Sequence, residues 1–252
     1  MTQAAVDLYW IPLGAGGHCV RFNGRVYEAV AAACAHRGRC DLYHAALVVE
    51  VDGERHTIEI APSPDADQSA RGVVGTGAVG SRLLGGLRLF RYEVRCWRGG
   101  SIPDLGHAVG GPRRLSTDPR IARRLVALVA AVPRPVWGRD ELHAGEMWNS
   151  NSMVAWLIAR AGLPTAPLRP PPGGRAPGWD AGLAVAARGD SRARHVAAGA
   201  PRSAPDQHVA VRAMDHLRAD RARRRHVRRG PPPGEDGLVP SATSAPRVRP
   251  GR

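Results

Sequence analysis

The chain has 252 residues, a formal net charge of +14 and 43% hydrophobic residues, which is enough apolar material for one folded domain. All 36 basic residues are arginines, and they lack the interleaved aromatic residues that stack on single-stranded nucleic acid, so nucleic acid is not the expected main partner. No segment approaches the roughly 20 apolar residues that span a bilayer, and the N-terminus lacks a basic start followed by a long apolar run. We therefore expect a cytoplasmic protein without a membrane span.

Two elements are predicted in the first quarter of the chain. Residues 24–38 are rich in Ala and bounded by Gly, which predicts a helix. Residues 41–51 and 54–61 then flank Asp52–Gly53, a pair typical of a two-residue hairpin loop. The sequence therefore predicts a helix followed by a β-hairpin.

The register of this hairpin decides which side chains share a face. A two-residue loop places Glu50 opposite Arg55, and this pair of opposite charges supports the register. His44 and Glu59 then lie on one face as diagonal neighbours, within reach of each other's side chains. His56 lies on the other face, which we expect to be the core side.

A glycine-rich segment follows, in which Gly75, Gly77 and Gly80 match the G-x-G-x-x-G spacing of dinucleotide-binding loops. The context does not fit, because a dinucleotide fold needs a helix of about ten residues or more after this loop, and only SRLLGGL follows. We therefore expect a flexible loop and no nicotinamide or flavin cofactor. The next strand is predicted over residues 86–97, from its alternating pattern.

The second half of the chain predicts two helices. The first begins after Asp118, a preferred N-cap residue, carries Pro119 in its first turn and continues to about residue 132. The second begins in the segment MWNSNS and ends at Gly162. A hairpin, a further strand and packed helices together predict the α+β class, with an antiparallel sheet.

The domain is predicted to comprise residues 1–188, with a Pro-rich connector at residues 164–178. Residues 189–252 contain no Phe, Trp or Tyr, and have 14 Arg against six acidic residues. Such a segment cannot bury enough apolar surface to offset its ordering entropy, so we predict a disordered Arg-rich tail. Its basic run, residues 218–230, is interpreted either as a weak polyanion-binding arm or as solvated charge.

The cysteines and nearby histidines do not predict a metal site. Cys34, His36 and Cys40, together with His18 and Cys19, carry suitable donor atoms, but their spacing matches no standard zinc pattern. No C-x-x-C pair occurs. We therefore expect free thiols and no metal or other cofactor.

Three segments occur in an order that characterises a known family. A His at a strand start (LYHAALVV), a polar residue on the next strand (ERHTIEIA) and a polar helix start (WNSNSMVAWL) resemble the circularly permuted papain-like fold of the NlpC/P60 superfamily, in its lecithin:retinol-acyltransferase-like branch. The resemblance covers about residues 41–163. It implies that His44 is a general base, that Glu59 or His56 orients it, and that Ser150 stands where the family carries its nucleophilic Cys. The segments MWNSNS and VWGRDEL also resemble bacterial proteins with no assigned reaction, which implies no function.

The serine at position 150 leaves more than one functional interpretation. A helix N-terminus lowers the pKa of a thiol enough to stabilise a thiolate, but the same shift is far too small to ionise an alcohol. A serine nucleophile would therefore need His44 as its general base and helix N–H groups as donors to the oxyanion. One interpretation is thus a serine-dependent amide or ester hydrolase or acyltransferase that uses Ser150, His44 and Glu59. The interpretation that we favour is a degenerate, non-catalytic domain that binds a peptide, acyl or glycan ligand.

The same helix start also has a purely structural interpretation. Ser and Asn are preferred N-cap residues. We expect Ser150 to be the cap, with Asn149, Asn151 or Ser152 as alternatives. Asn149, Asn151, Ser152 and His56 are in addition the candidate ligand-binding residues.

Overall fold

A computed structural model of the chain describes residues 4–15, 27–63 and 72–199. Within these ranges, the strands are β1 (Ala5–Pro12), β2 (Asp41–Val51), β3 (Glu54–Pro62), β4 (Val73–Ala78), β5 (Arg91–Arg98), β6 (Arg113–Ser116) and β7 (Gly174–Arg175). The helices are α1, whose described part is residues 27–34, α2 (Pro119–Leu128), α3 (Ser150–Ala161) and α4 (Trp179–Gly199).

The strands form an antiparallel sheet in the order β4-β5-β3-β2-β1-β6, and β7 adds a short parallel pairing to β2. This confirms the predicted α+β class. The predicted hairpin register is also confirmed, with Glu50 opposite Arg55. Asp52 and Gly53 have positive φ angles of 56° and 80°, which a two-residue type I′ turn requires.

The main core lies between one face of the sheet and helices α2 and α3. Leu47, Val49 and Ile58 on β2 and β3 point into it, as the register predicts. Helix α3 is buried almost all round, because α4 also contacts it: a Cβ on Gly182 of α4 would overlap the carbonyl oxygen of Ser152. The opposite face of the sheet carries a smaller apolar cluster of Ile11, Ala46 and Ile102.

Strands β1, β4, β6 and β7 and helix α4 were not predicted. Strand β1 lies inside the sheet between β2 and β6, and seven buried or nearly buried apolar residues along it do not alternate with polar ones. A strand that is buried on both faces lacks the two-residue period by which strands are recognised. Its one acidic residue, Asp7, is paired with Arg114 of β6.

The glycine-rich segment predicted as a flexible loop is largely a strand. β4 pairs with β5, with Gly77 opposite Tyr92. A Cβ on Gly77 would overlap the Tyr92 ring, so glycine allows this ring to lie across the strand. The buried Tyr92 donates a hydrogen bond to the carbonyl oxygen of Pro135 (2.8 Å) and contacts the ring of Trp137, with centroids 5.6 Å apart. These contacts hold the segment around Trp137 against the sheet.

The strand predicted from residue 86 begins only at Arg91. Two short 3-10 turns, Leu83–Gly86 and Arg88–Phe90, precede it. The pairing of β4 with β5 ends at Ala78 and Arg91, so the residues before Arg91 have no strand opposite them. The alternation of apolar and polar residues therefore predicted a strand that begins too early.

The Pro-rich segment 164–178 is packed, and is not a free connector. Leu168 is buried in the main core, and β7 pairs with the start of β2. Helix α4 then continues past Arg188, where the predicted domain ended, because Trp179, Ala181 and Ala186 bury its first half. Residues 200–252, with the basic run of the predicted tail, lie outside the described residues. Polyanion binding by that run stays a prediction.

No helix in the described ranges combines the length and the apolar character that crossing a membrane would require.

Candidate functional site

The start of α3 is joined to β2 by the side chain of Asn151. Its Oδ1 accepts a hydrogen bond from the Ala45 N–H (2.7 Å), and its Nδ2 donates to the carbonyl oxygens of Tyr43 (3.0 Å) and Pro177 (2.9 Å). Asn151 is only 3% exposed. Because the bonded backbone groups of β2 flank His44, this amide places that histidine beside the helix start.

The N-cap of α3 is Asn149. Its Oδ1 accepts hydrogen bonds from the N–H groups of Asn151 (2.9 Å) and Ser152 (3.3 Å). The Ser152 hydroxyl accepts from the Asn149 N–H (3.1 Å) and donates to the Met147 carbonyl oxygen (3.1 Å), which completes a capping box. The expectation that Ser150 is the cap is wrong: the extended backbone that a cap needs occurs at Asn149, and Ser150 is the first helical residue.

His44 and Ser150 line the same cavity, which has a volume of about 350 Å³. That volume is in the range of small-molecule sites. In the described part of the chain, no hydrogen bond joins the Ser150 hydroxyl to His44. Most of the lining residues are apolar or aromatic, and the full set is Leu13, Tyr27, Leu42, Tyr43, His44, Trp137, Gly138, Met147, Asn149, Ser150, Asn151 and Pro177.

Glu59 lies on the same face of the hairpin as His44 but is engaged elsewhere. Its Oε1 is 3.3 Å from Nη1 of Arg95, and Arg95 also contacts Glu93 at 2.9 Å. Burial raises the pKa of Glu59, and the neighbouring guanidinium opposes this shift. Among the described residues, no hydrogen bond links Glu59 to His44, so the predicted orienting contact is not formed.

The carboxylate whose charge affects the pKa of His44 is that of Asp104. Burial lowers the pKa of His44, and the negative charge of Asp104 opposes this shift. Asp104 lies in a 3-10 turn, Pro103–His107, and also raises the pKa of Glu59. An irregular turn that follows β5 has no periodic pattern, so nothing in the sequence marked this residue.

His56 lies away from the cavity, on the core side of the hairpin. Its Nε2 is 3.6 Å from a carboxylate oxygen of Glu54, and its Nδ1 is 3.9 Å from Sγ of Cys96. Burial raises the pKa of Cys96 to about 11. His56 therefore does not contribute to the site that His44 and Ser150 share.

The thiols that the structure describes, Cys34, Cys40 and Cys96, are free. Within the described ranges, no three His, Cys, Asp or Glu side chains are grouped closely enough to hold a metal ion. His18 and Cys19 lie outside those ranges.

We expect His44 to make the protein less stable as the pH falls. An unfolded imidazole has a pKa of about 6.5 and takes up a proton that the half-buried His44 resists, so below about pH 6.5 the unfolded state binds more protons and is favoured. The lowered pKa of folded His44 sets this sign. His44→Gln should therefore flatten the dependence of Tm on pH between about pH 5 and 7.

The matched control for this measurement is His107→Gln, because His107 is exposed. This variant should keep the slope of the parent protein. An unchanged slope in His44→Gln would contradict the assignment of acid sensitivity to His44.

Comparison with known proteins identifies no relative, since no family model, curated protein or solved structure matches the chain.

Proposed function

We propose that this protein is a non-catalytic domain of the permuted papain-like, NlpC/P60-like type, and that its cavity binds an apolar peptide side chain or an acyl chain. Three features support this relation: the antiparallel sheet with packed helices, the histidine on β2, and the helix start of α3 that lies beside it. The sulfur that such a fold uses for nucleophilic chemistry is replaced by the hydroxyl of Ser150.

The observation that carries the proposal is the occupation of the helix amides. Acyl transfer through Ser150 would develop an oxyanion, which needs N–H donors aimed at it. The N–H groups of the two residues after Ser150 already donate to the side chain of Asn149. Binding of a ligand needs no such donors, so the cap favours binding over catalysis.

The lining of the cavity favours an apolar ligand over a glycan. Leu13, Leu42 and Met147 are among the side chains that a bound ligand would contact. The carboxamides of Asn149 and Asn151 are already engaged in hydrogen bonds with the backbone. A sugar needs several polar partners to replace its water contacts, and these two amides are not free to supply them.

A serine-dependent hydrolase or acyltransferase is the second candidate. Ser150 is not the helix cap, and it lines the same cavity as His44. The lowered pKa of His44 keeps its imidazole neutral near pH 7, as a general base requires. In this mechanism the Ser150 oxygen attacks the carbonyl carbon while its proton passes to His44. The imidazolium then gives that proton to the amine or alcohol that departs as its bond to the acyl carbon breaks, which leaves an acyl-serine for water or a second acceptor to attack. The negative charge of Asp104 would stabilise the imidazolium.

The two functions are separated by testing the pure protein with three probes. Decanoate and a Leu-containing tripeptide, titrated by calorimetry, test binding; a fluorophosphonate tests for a reactive serine. The binding proposal expects that one or both titrants bind, that Leu42→Arg lowers the affinity by about tenfold or more, and that the fluorophosphonate does not label. The matched control, Val30→Arg, changes an exposed residue that does not line the cavity, and should leave the affinity unchanged.

The opposite result supports the enzyme. Labelling of Ser150 that His44→Ala abolishes would replace the binding proposal with the hydrolase. If the folded protein neither binds the two titrants nor reacts with the probe, both functions of this cavity are wrong.

A further inference from the structure

Four exposed leucines lie on and between the two 3-10 turns that connect β4 to β5, and residues 83–89 are here called the leucine turns. The exposed fraction is 94% for Leu83, 40% for Leu84, 59% for Leu87 and 86% for Leu89. Single exposed apolar residues are common on protein surfaces, whereas four within seven consecutive residues are of the kind that interaction sites present. The leucine turns therefore need a partner.

The charge around the leucine turns is positive. Residues 80–91 include three arginines and no acidic residue. Arg82 is paired with Glu141 at 2.8 Å, and Arg91 donates to the Thr76 hydroxyl at 2.9 Å. Arg88 is exposed, and no ion pair involves it in the part of the chain that the structure describes. An exposed cation thus lies between Leu87 and Leu89.

We propose that the leucine turns insert into an anionic lipid surface, with the leucines in the interfacial region and Arg88 beside the headgroup phosphates. Leu83 and Leu89 are almost completely exposed, so they project from the surface and do not line a groove. A fluid lipid interface accepts projecting apolar side chains without a shaped pocket, and basic residues beside them add attraction to anionic lipids. The charge and the shape both favour this partner over a structured protein groove.

The end of β4, from which the chain leads into the leucine turns, is bonded to one wall of the cavity. The Gly80 N–H donates to the Trp137 carbonyl oxygen (3.0 Å), and the Trp137 N–H donates to the Ala78 carbonyl oxygen (2.9 Å). Trp137 and Gly138 line the cavity. Attachment through the leucine turns would thus hold this wall near the lipid. The attachment itself does not depend on what the cavity binds.

The test is co-sedimentation of the full chain with vesicles of phosphatidylcholine containing about 30% phosphatidylglycerol. The double variant Leu83→Ser, Leu89→Ser should lower the partition coefficient by about tenfold or more, because two apolar side chains no longer enter the interface. Its Tm should stay unchanged, since both leucines are exposed. The matched control, Val30→Ser with Val109→Ser, alters exposed valines outside the leucine turns, and should bind within about twofold of the parent.

A second comparison separates insertion from binding by other arginines of this basic chain. Arg88→Gln should weaken binding to the anionic vesicles and leave binding to pure phosphatidylcholine vesicles unchanged. The proposal is wrong if the parent does not bind vesicles, or if the leucine variant binds as well as the parent. A parent that self-associates, and becomes monomeric in the leucine variant, would assign the leucine turns to an interface between copies.

Discussion

Replacing Arg95 with Met should lower the free energy of unfolding by about 3–5 kcal/mol at neutral pH. Its guanidinium lies 2.9 Å from the carboxylate of Glu93 and 3.3 Å from that of Glu59, and it donates to the Pro62 carbonyl oxygen at 3.3 Å. Glu93 is fully buried. When the guanidinium is removed, two carboxylates remain in the interior with no positive charge between them. This state is far less favourable than the paired cluster. Urea unfolding at pH 7 measures the loss.

The pH dependence and a surface variant provide the controls. The deficit of Arg95→Met should shrink as the pH falls, because protonation removes the charge from the two carboxylates. Arg123→Met removes the exposed pair with Asp52 (2.6 Å) and should change stability by less than about 1 kcal/mol. Equal losses in the two arginine variants would show that the cluster at Arg95 has no special role.

Replacing Asn151 with Ala should lower the free energy of unfolding by about 3–5 kcal/mol, because two buried backbone groups, the Ala45 N–H and the Tyr43 carbonyl oxygen, lose this partner, and each such group costs about 1–3 kcal/mol. The Pro177 carbonyl oxygen loses one of its two side-chain donors and keeps the amide of Asn149. The same change frees β2 from the start of α3, so the affinity of the cavity for decanoate should fall as well. Urea unfolding and calorimetry measure the two effects.

The neighbouring residue is the matched control. Ser150→Ala removes a hydroxyl that is not the helix cap, and should change stability by less than about 1 kcal/mol. A loss of that small size in Asn151→Ala would mean that water replaces the amide, and that the amide does not hold the site together.

The elements predicted well are those whose signals are local. Asp52–Gly53 requires a tight turn with positive φ angles, and one such turn determines the pairing of the whole hairpin. Asp118 caps α2 as predicted, by accepting from the Arg120 N–H at 2.7 Å. Gly162 ends α3 with a φ of 86°. Each feature depends on the conformation of a few consecutive residues.

The elements that were missed depend on their neighbours in space. Strand β1 shows no alternation of apolar and polar residues, because it lies between β2 and β6 and is buried on both faces of the sheet. Strand β4 contains glycines because the ring of Tyr92 lies against Gly77. The first half of α4 is helical because it is buried against the main core. None of these contacts can be deduced from residues adjacent in sequence.

The site shows the same division. The order of a histidine strand and a later polar helix start predicted that His44 and Ser150 lie close together, and both line the cavity. Glu59 does not orient His44 as predicted, because its carboxylate is paired with Arg95 on the neighbouring strand β5. Asp104, in the irregular turn after β5, supplies the negative charge that opposes the lowering of the His44 pKa by burial.

The sequence by itself determined the register of the hairpin, the N-cap of α2 and the C-terminal end of α3, because turns, caps and side-chain periodicity act between residues that are close along the chain. Only the tertiary structure decided that Asn149 caps α3, that Asn151 joins this helix to β2, and that Arg95 holds Glu59. A polar side chain can usually bond to several partners, and the fold determines which partner is near enough and which alternatives are excluded by burial.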